Sequence, residues 1–204
     1  MVRLVAMKTL QVDGEWVRRL VGLTEGTWDQ AEIERAFLEY GWAEADEAGA
    51  VVVEWGAGPC APHFFGEAAG DVVGWRLELG DPPVDGGPES SFIQLPCALF
   101  WPPFGAEPDD VDDEEDDLDE EFSADWVRFP DAPRAEFHAE YDRLGALLRA
   151  ELGEPSKVIP ADMGDRQEVW HHNGLQIVLH RSDDINTYSH YDVINLRIGP
   201  AAAW

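Results

Sequence analysis

Positively charged residues are scarce in this sequence. Its 204 residues include 14 Lys and Arg, of which only Lys8 and Lys157 are lysines, against 42 Asp and Glu, so that the net charge is -28. Because proteins bind phosphate groups through Lys and Arg, this deficit argues against nucleic acid or an anionic membrane as a direct ligand. Excess negative charge instead favours solubility and attraction to basic proteins.

Cysteines and long apolar runs are also few. Cys60 and Cys97 do not form a CxxC pair. Two buried thiols in a reduced cytosolic protein is the favoured interpretation, and a disulfide or a catalytic thiol is the alternative. No segment approaches the roughly eighteen apolar residues of a membrane helix, and the start of the chain lacks an apolar signal segment. We therefore expect a cytoplasmic protein that does not span a membrane.

Catalytic signatures are missing as well. The sequence contains no GxSxG, no GxxxxGKS/T, no GxGxxG after a strand and no metallohydrolase motif. Each of these motifs places a nucleophile, a phosphate or a metal in a defined geometry. We therefore expect that the protein is not an enzyme and that it needs no cofactor and no metal.

Apolar residues are plentiful and follow helical periodicity in three places. They make up 45% of the chain, with nine Trp and nine Phe, which excludes general disorder. The spacing predicts a short helix over residues 15–23 and a longer helix with Thr27 as N-cap, Gln30 completing a capping box and Gly41 at its end. A third helix is predicted over residues 137–152, where apolar residues recur over four turns.

Strand-like runs follow the second and third helices. They cover residues 50–55, 72–79, 91–95, 166–172, 175–181 and 188–198. Asn173-Gly174 between two of them is a strong hairpin signal, with Leu175, Ile177 and Leu179 expected on one face of the second strand.

The predicted fold is α+β: an antiparallel sheet with two long helices packed on one face. Because a helix is followed by about three strands in each half, the chain is interpreted as a degenerate duplication. Its parts are an N-terminal half of residues 1–106, an acidic linker or insert of residues 107–126 and a C-terminal half of residues 127–204, together one compact domain. Whether the halves share one sheet is left open.

An acidic run over residues 107–121 dominates the middle of the chain, with twelve carboxylates among fifteen side chains. It could be a solvated linker, a segment that attracts a basic protein surface electrostatically, or a divalent-cation site. Calcium loops need a turn-forming Gly, which the run lacks. If the run attracts a basic partner, it would steer that partner through Asp109, Asp110, Asp112, Asp113, Glu114, Glu115, Asp116 and Asp117.

Aromatic residues on both sides of the run are candidate apolar anchors. Phe122 and Trp126 stand four residues apart, as on an acidic helix that docks by a thin apolar stripe, unless they pack on the protein's own core. The stretch CALFWPPFG, residues 97–105, is a recognition surface if exposed and a core segment if buried, and its prolines weaken a central-strand assignment. We predict that Trp101, Phe104 and Phe122 anchor a partner.

Histidines and carboxylates are concentrated near the C-terminus. They are His171, His172, His180, His190, Asp183, Asp184 and Asp192. A metal site is the functional alternative, but adjacent histidines point to opposite faces of a strand, and no HxH or HExxH spacing is present. Asp183 and Asp184 are interpreted as turn residues, or as ligands for an arginine, either Arg181 or one of a partner.

The segment over residues 170–198, with the pattern W…GL…LHR…DD…YS…YD, resembles the closing hairpin of uncharacterised small acidic proteins from high-GC Gram-positive bacteria. Proteins of this style resemble immunity proteins of polymorphic toxin systems. The resemblance covers about thirty residues and implies a binding protein, with no catalytic residue to transfer. The long acidic insert departs from the pattern.

These observations lead to three functional hypotheses. The first is a cytoplasmic immunity or inhibitor protein that neutralises a basic protein, such as a nuclease-like toxin, by steering and occlusion, because carboxylates bind the same Lys and Arg as phosphates do. The second is a non-catalytic scaffold in which the acidic run is a flexible spacer between lobes. The third is an enzyme that uses the His and Asp residues between 171 and 192. The oligomeric state is left open.

Overall fold

A computed structural model of the chain describes residues 7–45, 47, 49, 51–54, 74–76, 93–101, 126–162, 165–182 and 192–200. Within these ranges it contains three helices and ten strands. In chain order they are β1 Met7–Leu10, α1 Gly14–Gly22, α2 Gln30–Tyr40, β2 Glu44–Ala45, β3 Val51–Glu54, β4 Gly74–Arg76, β5 Ile93–Phe100, β6 Trp126–Phe129, α3 Arg134–Leu152, β7 Lys157–Asp162, β8 Asp165–His172, β9 Leu175–Ser182 and β10 Asp192–Pro200.

Seven of the strands form one antiparallel sheet in the order β6-β1-β5-β10-β9-β8-β7, and β2, β3 and β4 form a small second sheet. The α+β class with an antiparallel sheet is therefore confirmed. Strands from both sides of the acidic run lie in the seven-stranded sheet. The strands after α2 mostly belong to the small sheet, whereas those after α3 all join the large one, so the duplication stays a prediction.

The centre of the large sheet is buried on both faces. All eight residues of β5 and all four of β1 are buried. Strand β5 continues through Pro96 to Phe100, beyond the predicted end at residue 95, because the ladder with β10 shifts register between Ile194 and Asn195. Proline lacks an N–H and is tolerated in sheets at such irregularities.

Cys97 lies at this register shift, between the residues that pair with Ile194 and Asn195. Its thiol is free, buried and 3.6 Å from the Leu95 carbonyl oxygen. Burial raises its pKa, which leaves the thiol protonated and unreactive. The prediction of a buried thiol is confirmed at Cys97, whereas Cys60 lies outside the described residues.

The helices begin and end largely as their sequences indicate. Gly41 ends α2 in the left-handed conformation, with φ of 71°, which glycine adopts without steric cost. The predicted N-cap of α2 is wrong: Asp29, not Thr27, accepts a hydrogen bond from the Glu32 N–H at 3.0 Å. Thr27 instead donates its hydroxyl to Asp29, because a carboxylate is the stronger acceptor for the helix N-terminus.

The Asn173-Gly174 hairpin is present as predicted. Both residues have positive φ, 51° and 83°, which is the requirement of a two-residue turn that matches the strand twist. In β9, Leu175, Ile177 and Leu179 are buried on one face. The opposite face is also largely covered. No helix in the described ranges is both long enough and apolar enough to cross a membrane.

Helix α3 packs against the sheet through aromatic contacts. The Phe137 ring stacks on Phe100 with centroids 5.5 Å apart, and the Tyr141 hydroxyl donates to the Leu179 carbonyl at 3.3 Å. Burial raises the pKa of Tyr141, and the nearby Glu168 carboxylate adds to the effect. Tyr141 therefore stays a neutral hydrogen-bond donor between helix and sheet.

A buried carboxylate also connects α3 to the sheet. Glu168 on β8 is 1% exposed, and its oxygens lie 2.5 Å from Arg149 Nη2 on α3 and 3.3 Å from Arg166 Nη2. Gly145 leaves room for this pair, since a Cβ there would lie 3.3 Å from Glu168 Oε2. A side chain at position 145 would therefore require the ion pair to shift by a few tenths of an ångström.

We expect Glu168→Gln to lower the free energy of unfolding by about 2 kcal/mol, because a neutral amide cannot replace the charge-assisted hydrogen bonds that the buried carboxylate accepts from Arg149 and Arg166. Urea unfolding at neutral pH measures the change. Glu154→Gln is the matched control: its carboxylate also approaches Arg149, at 3.7 Å, but is 87% exposed. A solvated pair contributes less than about 1 kcal/mol. Equal losses in the two variants would contradict the role of burial.

Candidate functional site

The acidic run is attached at both ends to the large sheet. Strand β5 ends at Phe100, opposite Met7, and β6 begins at Trp126, opposite Leu10, with only β1 between them. Two strand spacings and three residues along a strand separate these ends by roughly 14 Å. The 24 residues of 102–125 would reach roughly 80 Å if extended. The connection is therefore several times longer than the distance it covers.

Most of the predicted partner-binding residues fall within this connection or in a second segment outside the described residues. The structure accordingly says nothing about Phe104, Asp109, Asp110, Asp112, Asp113, Glu114, Glu115, Asp116, Asp117, Phe122, Asp183 or Asp184. Trp101 is the one predicted anchor that is described. It is half-buried at the end of β5, and Lys8 Nζ lies 5.6 Å from its ring centroid.

The other residues next to the run belong to the protein's own core. Leu99 and Phe100 are buried in β5, so that part of CALFWPPFG is not an exposed patch. Trp126 is buried as the first residue of β6. A helical stripe that extends to Trp126 is therefore wrong, and the alternative, packing on the core, is confirmed for this residue. A strand forms here because residues 126–129 pair with β1.

Positive charge in the described structure is largely matched by the protein's own carboxylates. The ion pairs between described residues include those of Arg18, Arg19, Arg35, Arg134, Arg143, Arg149 and Arg166. Two of the carboxylates are deeply buried, Glu168 and Asp192, the latter 2% exposed and 2.7 Å from Arg134 Nη1. Since these pairs neutralise the arginines, the remaining carboxylates determine the sign of the surface charge.

A second acidic region surrounds α1 and α2. Between residues 13 and 47 the sequence has ten carboxylates and three arginines, a net charge of -7. The exposed carboxylates are Asp13, Glu15, Glu25, Asp29, Glu39, Glu44 and Glu47. Sequence reasoning missed this region because its acids are spread over the helices and are inconspicuous beside the acidic run.

The C-terminal histidines that the structure describes, His171, His172 and His180, do not converge on one site. His172 Nδ1 lies 2.7 Å from Thr24 Oγ1, and His171 Nδ1 lies 2.8 Å from Ser156 Oγ. Each hydroxyl is also within hydrogen-bond distance of a backbone carbonyl, at 2.6 Å for Thr24 and 2.9 Å for Ser156. A hydroxyl that donates to a carbonyl receives its second bond from the imidazole N–H. These histidines therefore orient side chains and do not activate a nucleophile.

Metal-binding geometry is not found in the part of the chain that the structure describes, where no three His, Cys, Asp or Glu are grouped around a common point. His190 lies outside it. Similarity to other proteins adds no assignment. The chain matches no protein-family model, no curated protein and no solved structure.

His180 is the one deeply buried histidine of the described sheet. Its Nε2 lies 3.3 Å from Asp165 Oδ1, and its Nδ1 has no hydrogen-bond partner among the described residues. Burial lowers its pKa, as does the charge of Arg197, and the opposing effect of Asp165 is smaller. The native ring therefore resists protonation more than a solvated histidine does.

We expect the protein to lose stability at His180 when the pH falls from about 7.5 to about 5.5, across the ordinary histidine pKa of about 6.5. The unfolded ring binds a proton in this window while the native ring stays neutral, so the unfolded state gains up to about 1.4 kcal/mol per pH unit. His180→Gln should reduce this slope in urea unfolding. His171→Gln, on the exposed side of β8, is the matched control. An unchanged slope in His180→Gln would contradict the interpretation.

Proposed function

We propose that this protein is a cytoplasmic immunity or inhibitor protein that binds and neutralises a basic protein, such as a nuclease-like toxin, without catalysing a reaction. One observation supports this most directly. The arginines that the structure describes are largely paired with the protein's own carboxylates, so the acidic run and the region of residues 13–47 retain uncompensated negative charge. Such charge attracts a positive macromolecule and repels a negative one.

The proposed mechanism has a steering step and an occlusion step. Carboxylates of the acidic run, Asp109 to Asp117 in the main, attract the Lys and Arg of the partner over a distance of about the Debye length, ~10 Å in ordinary buffer. On contact they occupy the positions of substrate phosphates, because both groups present negative oxygens to the same cations. The partner's substrate is then excluded.

Apolar anchors hold the complex after the encounter. Charges at the rim of an interface mainly affect the association rate, whereas buried aromatic residues dominate its lifetime. Trp101, half-buried and next to the run, is the described candidate, and Phe104 and Phe122 extend the same proposal. Asp183 and Asp184 are proposed to bind an arginine of the partner.

Two observations identify the partner. The first is the neighbouring reading frame in the source genome, where this proposal expects a basic toxin domain. The second is affinity capture from the source organism at about 50 mM and about 500 mM salt, since a partner whose association depends on steering is captured less as the Debye length shortens. A protein that is captured at low salt and much less at high salt is then purified for kinetics.

With the purified partner, we expect the association rate to fall by about tenfold or more between these salt concentrations, and the dissociation rate to change far less. The rates are measured by surface-based or stopped-flow kinetics. Neutralising five acids of the run, Asp112, Asp113, Glu114, Glu115 and Asp116, to Asn or Gln should slow association and flatten the salt dependence.

The matched control removes the same number of charges from the α1–α2 region, by neutralising Glu25, Glu34, Glu39, Glu44 and Glu47. If the control variant slows association less than the variant of the acidic run does, the run is the main source of steering. If the control variant slows association more, the α1–α2 region is the main source. A partner whose association rate is unaffected by salt and by both sets of changes would show that the negative charge does not serve binding.

A further inference from the structure

The face of the seven-stranded sheet that is turned away from α3 carries a group of polar side chains. Leu179 on β9 faces α3, since its Cδ2 lies 3.6 Å from the position that a Cβ on Gly145 would take. His180, the next residue along β9, therefore faces the opposite side of the sheet. In the ladders, His180 pairs with Gln167 on β8 and with Asn195 on β10. Three adjacent strands thus place polar side chains next to each other on this face.

The group extends from β10 to β5 and to the start of β8. Arg197 lies two residues after Asn195 on the same face, and its partner in the neighbouring strand is Gln94 on β5. Asp165 begins β8, and its Oδ1 lies 3.3 Å from His180 Nε2. Burial lowers the pKa of His180 most, and the charge of Arg197 lowers it further, so Arg197 is close to the imidazole ring. We call this group the polar cluster: Asp165, Gln167, His180, Asn195, Arg197 and Gln94.

Three members of the polar cluster are deeply buried and have hydrogen-bonding groups without a partner among the described residues. Asn195 is 3% exposed, Gln94 is 6% exposed and His180 is 8% exposed. The groups concerned are the amides of Asn195 and Gln94 and the Nδ1 atom of His180. Burying a polar group in this state is costly, and native proteins keep such groups where a water, an ion or a ligand completes their bonds. These three side chains therefore indicate a binding site.

The protonation of His180 determines what kind of group can bind to its Nδ1 atom. A carboxylate only accepts hydrogen bonds, so His180 Nε2 carries a proton and donates it to Asp165. Because burial lowers the pKa of His180, the ring is neutral at pH 7 and its Nδ1 atom has a lone pair without a proton. The group opposite Nδ1 must therefore be a hydrogen-bond donor. A hydroxyl or an N–H is suitable, whereas an ionised phosphate or carboxylate oxygen is not.

The other groups of the polar cluster favour an uncharged ligand with several hydroxyls. The amides of Gln167, Asn195 and Gln94 lie on three strands, and an amide both donates and accepts hydrogen bonds, as a hydroxyl does. Arg197 and Asp165 contribute one charge of each sign, so the cluster has no net charge that would select an ion. The cluster opens to solvent beside Asp165, whose side chain is 58% exposed, while its centre is deeply buried. A small molecule can reach these groups, whereas the surface of another protein cannot.

From this geometry we propose that the polar cluster is a binding site for a small uncharged polyhydroxyl molecule, such as a sugar or a polyol. One hydroxyl of the ligand donates to His180 Nδ1, and its other hydroxyls exchange hydrogen bonds with the amides of Asn195 and Gln94. The inference does not depend on the proposed function, because attraction of a basic partner requires carboxylates, whereas this site uses neutral groups.

The test uses the full-length protein with nitrogen-15 in its histidines and four probes: D-glucose, D-ribose, myo-inositol and glycerol. Each probe is titrated to about 100 mM, since a small ligand with few contacts binds with roughly millimolar affinity. We expect at least one probe to shift the Nδ1 resonance of His180 until it saturates, because this nitrogen then accepts a hydrogen bond. The resonance is assigned with the variant His180→Gln. The resonances of His171, which is exposed on β8, are the internal control.

Two variants locate the contact, since Asn195→Leu and Gln94→Met each remove an amide and keep a side chain of similar size. Each should weaken binding of the probe by about tenfold. Neither should lower the midpoint of urea unfolding without probe, because these amides have no hydrogen bond within the described structure to lose. Gln176→Met is the matched control. It removes an amide from the same face of β9 outside the polar cluster, where Gln176 Nε2 lies 3.0 Å from His171 Nε2, and should leave binding unchanged.

Three outcomes would overturn the inference. If none of the four probes shifts the His180 resonance, the polar cluster binds water alone. If a probe shifts the His171 and His180 resonances equally and without saturation, the effect is that of the additive on the solvent. If Asn195→Leu and Gln94→Met bind the probe as tightly as the unchanged protein does, the amides do not contact it. Each of these results leaves the attraction of a basic partner intact, since that is measured by the salt dependence of association.

Discussion

The shortage of cations is the constraint on which the rest of the structure depends. Fourteen Lys and Arg are available for 42 Asp and Glu, and the described fold places arginines where a carboxylate would otherwise be buried alone. Arg149 and Arg166 bind Glu168 between α3 and β8, and Arg134 binds Asp192 at the start of β10. An unpaired carboxylate at either place would be costly. Because these arginines are paired with buried carboxylates, they do not neutralise the acids at the surface. The shortage of cations therefore affects both the stability of the fold and its surface charge.

The topology fixes where the connection that contains the acidic run leaves and rejoins the sheet. The acidic run connects the end of β5 to the start of β6, strands that are separated only by β1. A connection much longer than the distance it covers is tolerated because the entropic cost of closing a loop rises slowly with its length. The two points where this connection leaves and rejoins the sheet, Phe100 and Trp126, therefore lie close together. Trp101 directly follows β5 at one of these points, and Trp126 begins β6 at the other.

Much of the fold could be predicted from the sequence, for reasons that differ between elements. Helix α3 has one apolar residue in each turn, and Asn173-Gly174 has the backbone freedom that a tight hairpin needs. Strand β1 could not be predicted, since its four residues are all buried and show no alternation. The N-cap of α2 was ambiguous because Thr27 and Asp29 are both capping residues, and only geometry decides between them.

The negative charge of the candidate site could be predicted from the sequence, but the position of the site in the fold could not. Twelve carboxylates in fifteen residues are evident in the sequence. Ion pairing, which decides how much charge remains, depends on contacts such as Arg134 with Asp192, whose partners are far apart in the chain. The partners of the histidines could not be predicted from the sequence either. His171, His172 and His180 are close in the sequence, but the strands direct each of them to a different partner.

The two lysines have a practical consequence for labelling. Lys8 is 1% exposed in β1, beside the Trp101 ring, whereas Lys157 is exposed on β7. An amine-reactive dye or surface would therefore attach at Lys157, apart from the amino terminus. Strand β7 lies six strands from β6, roughly 29 Å across the sheet. Molecules immobilised through this lysine would have β6, and Trp126 where the acidic connection rejoins the sheet, at the edge away from the support.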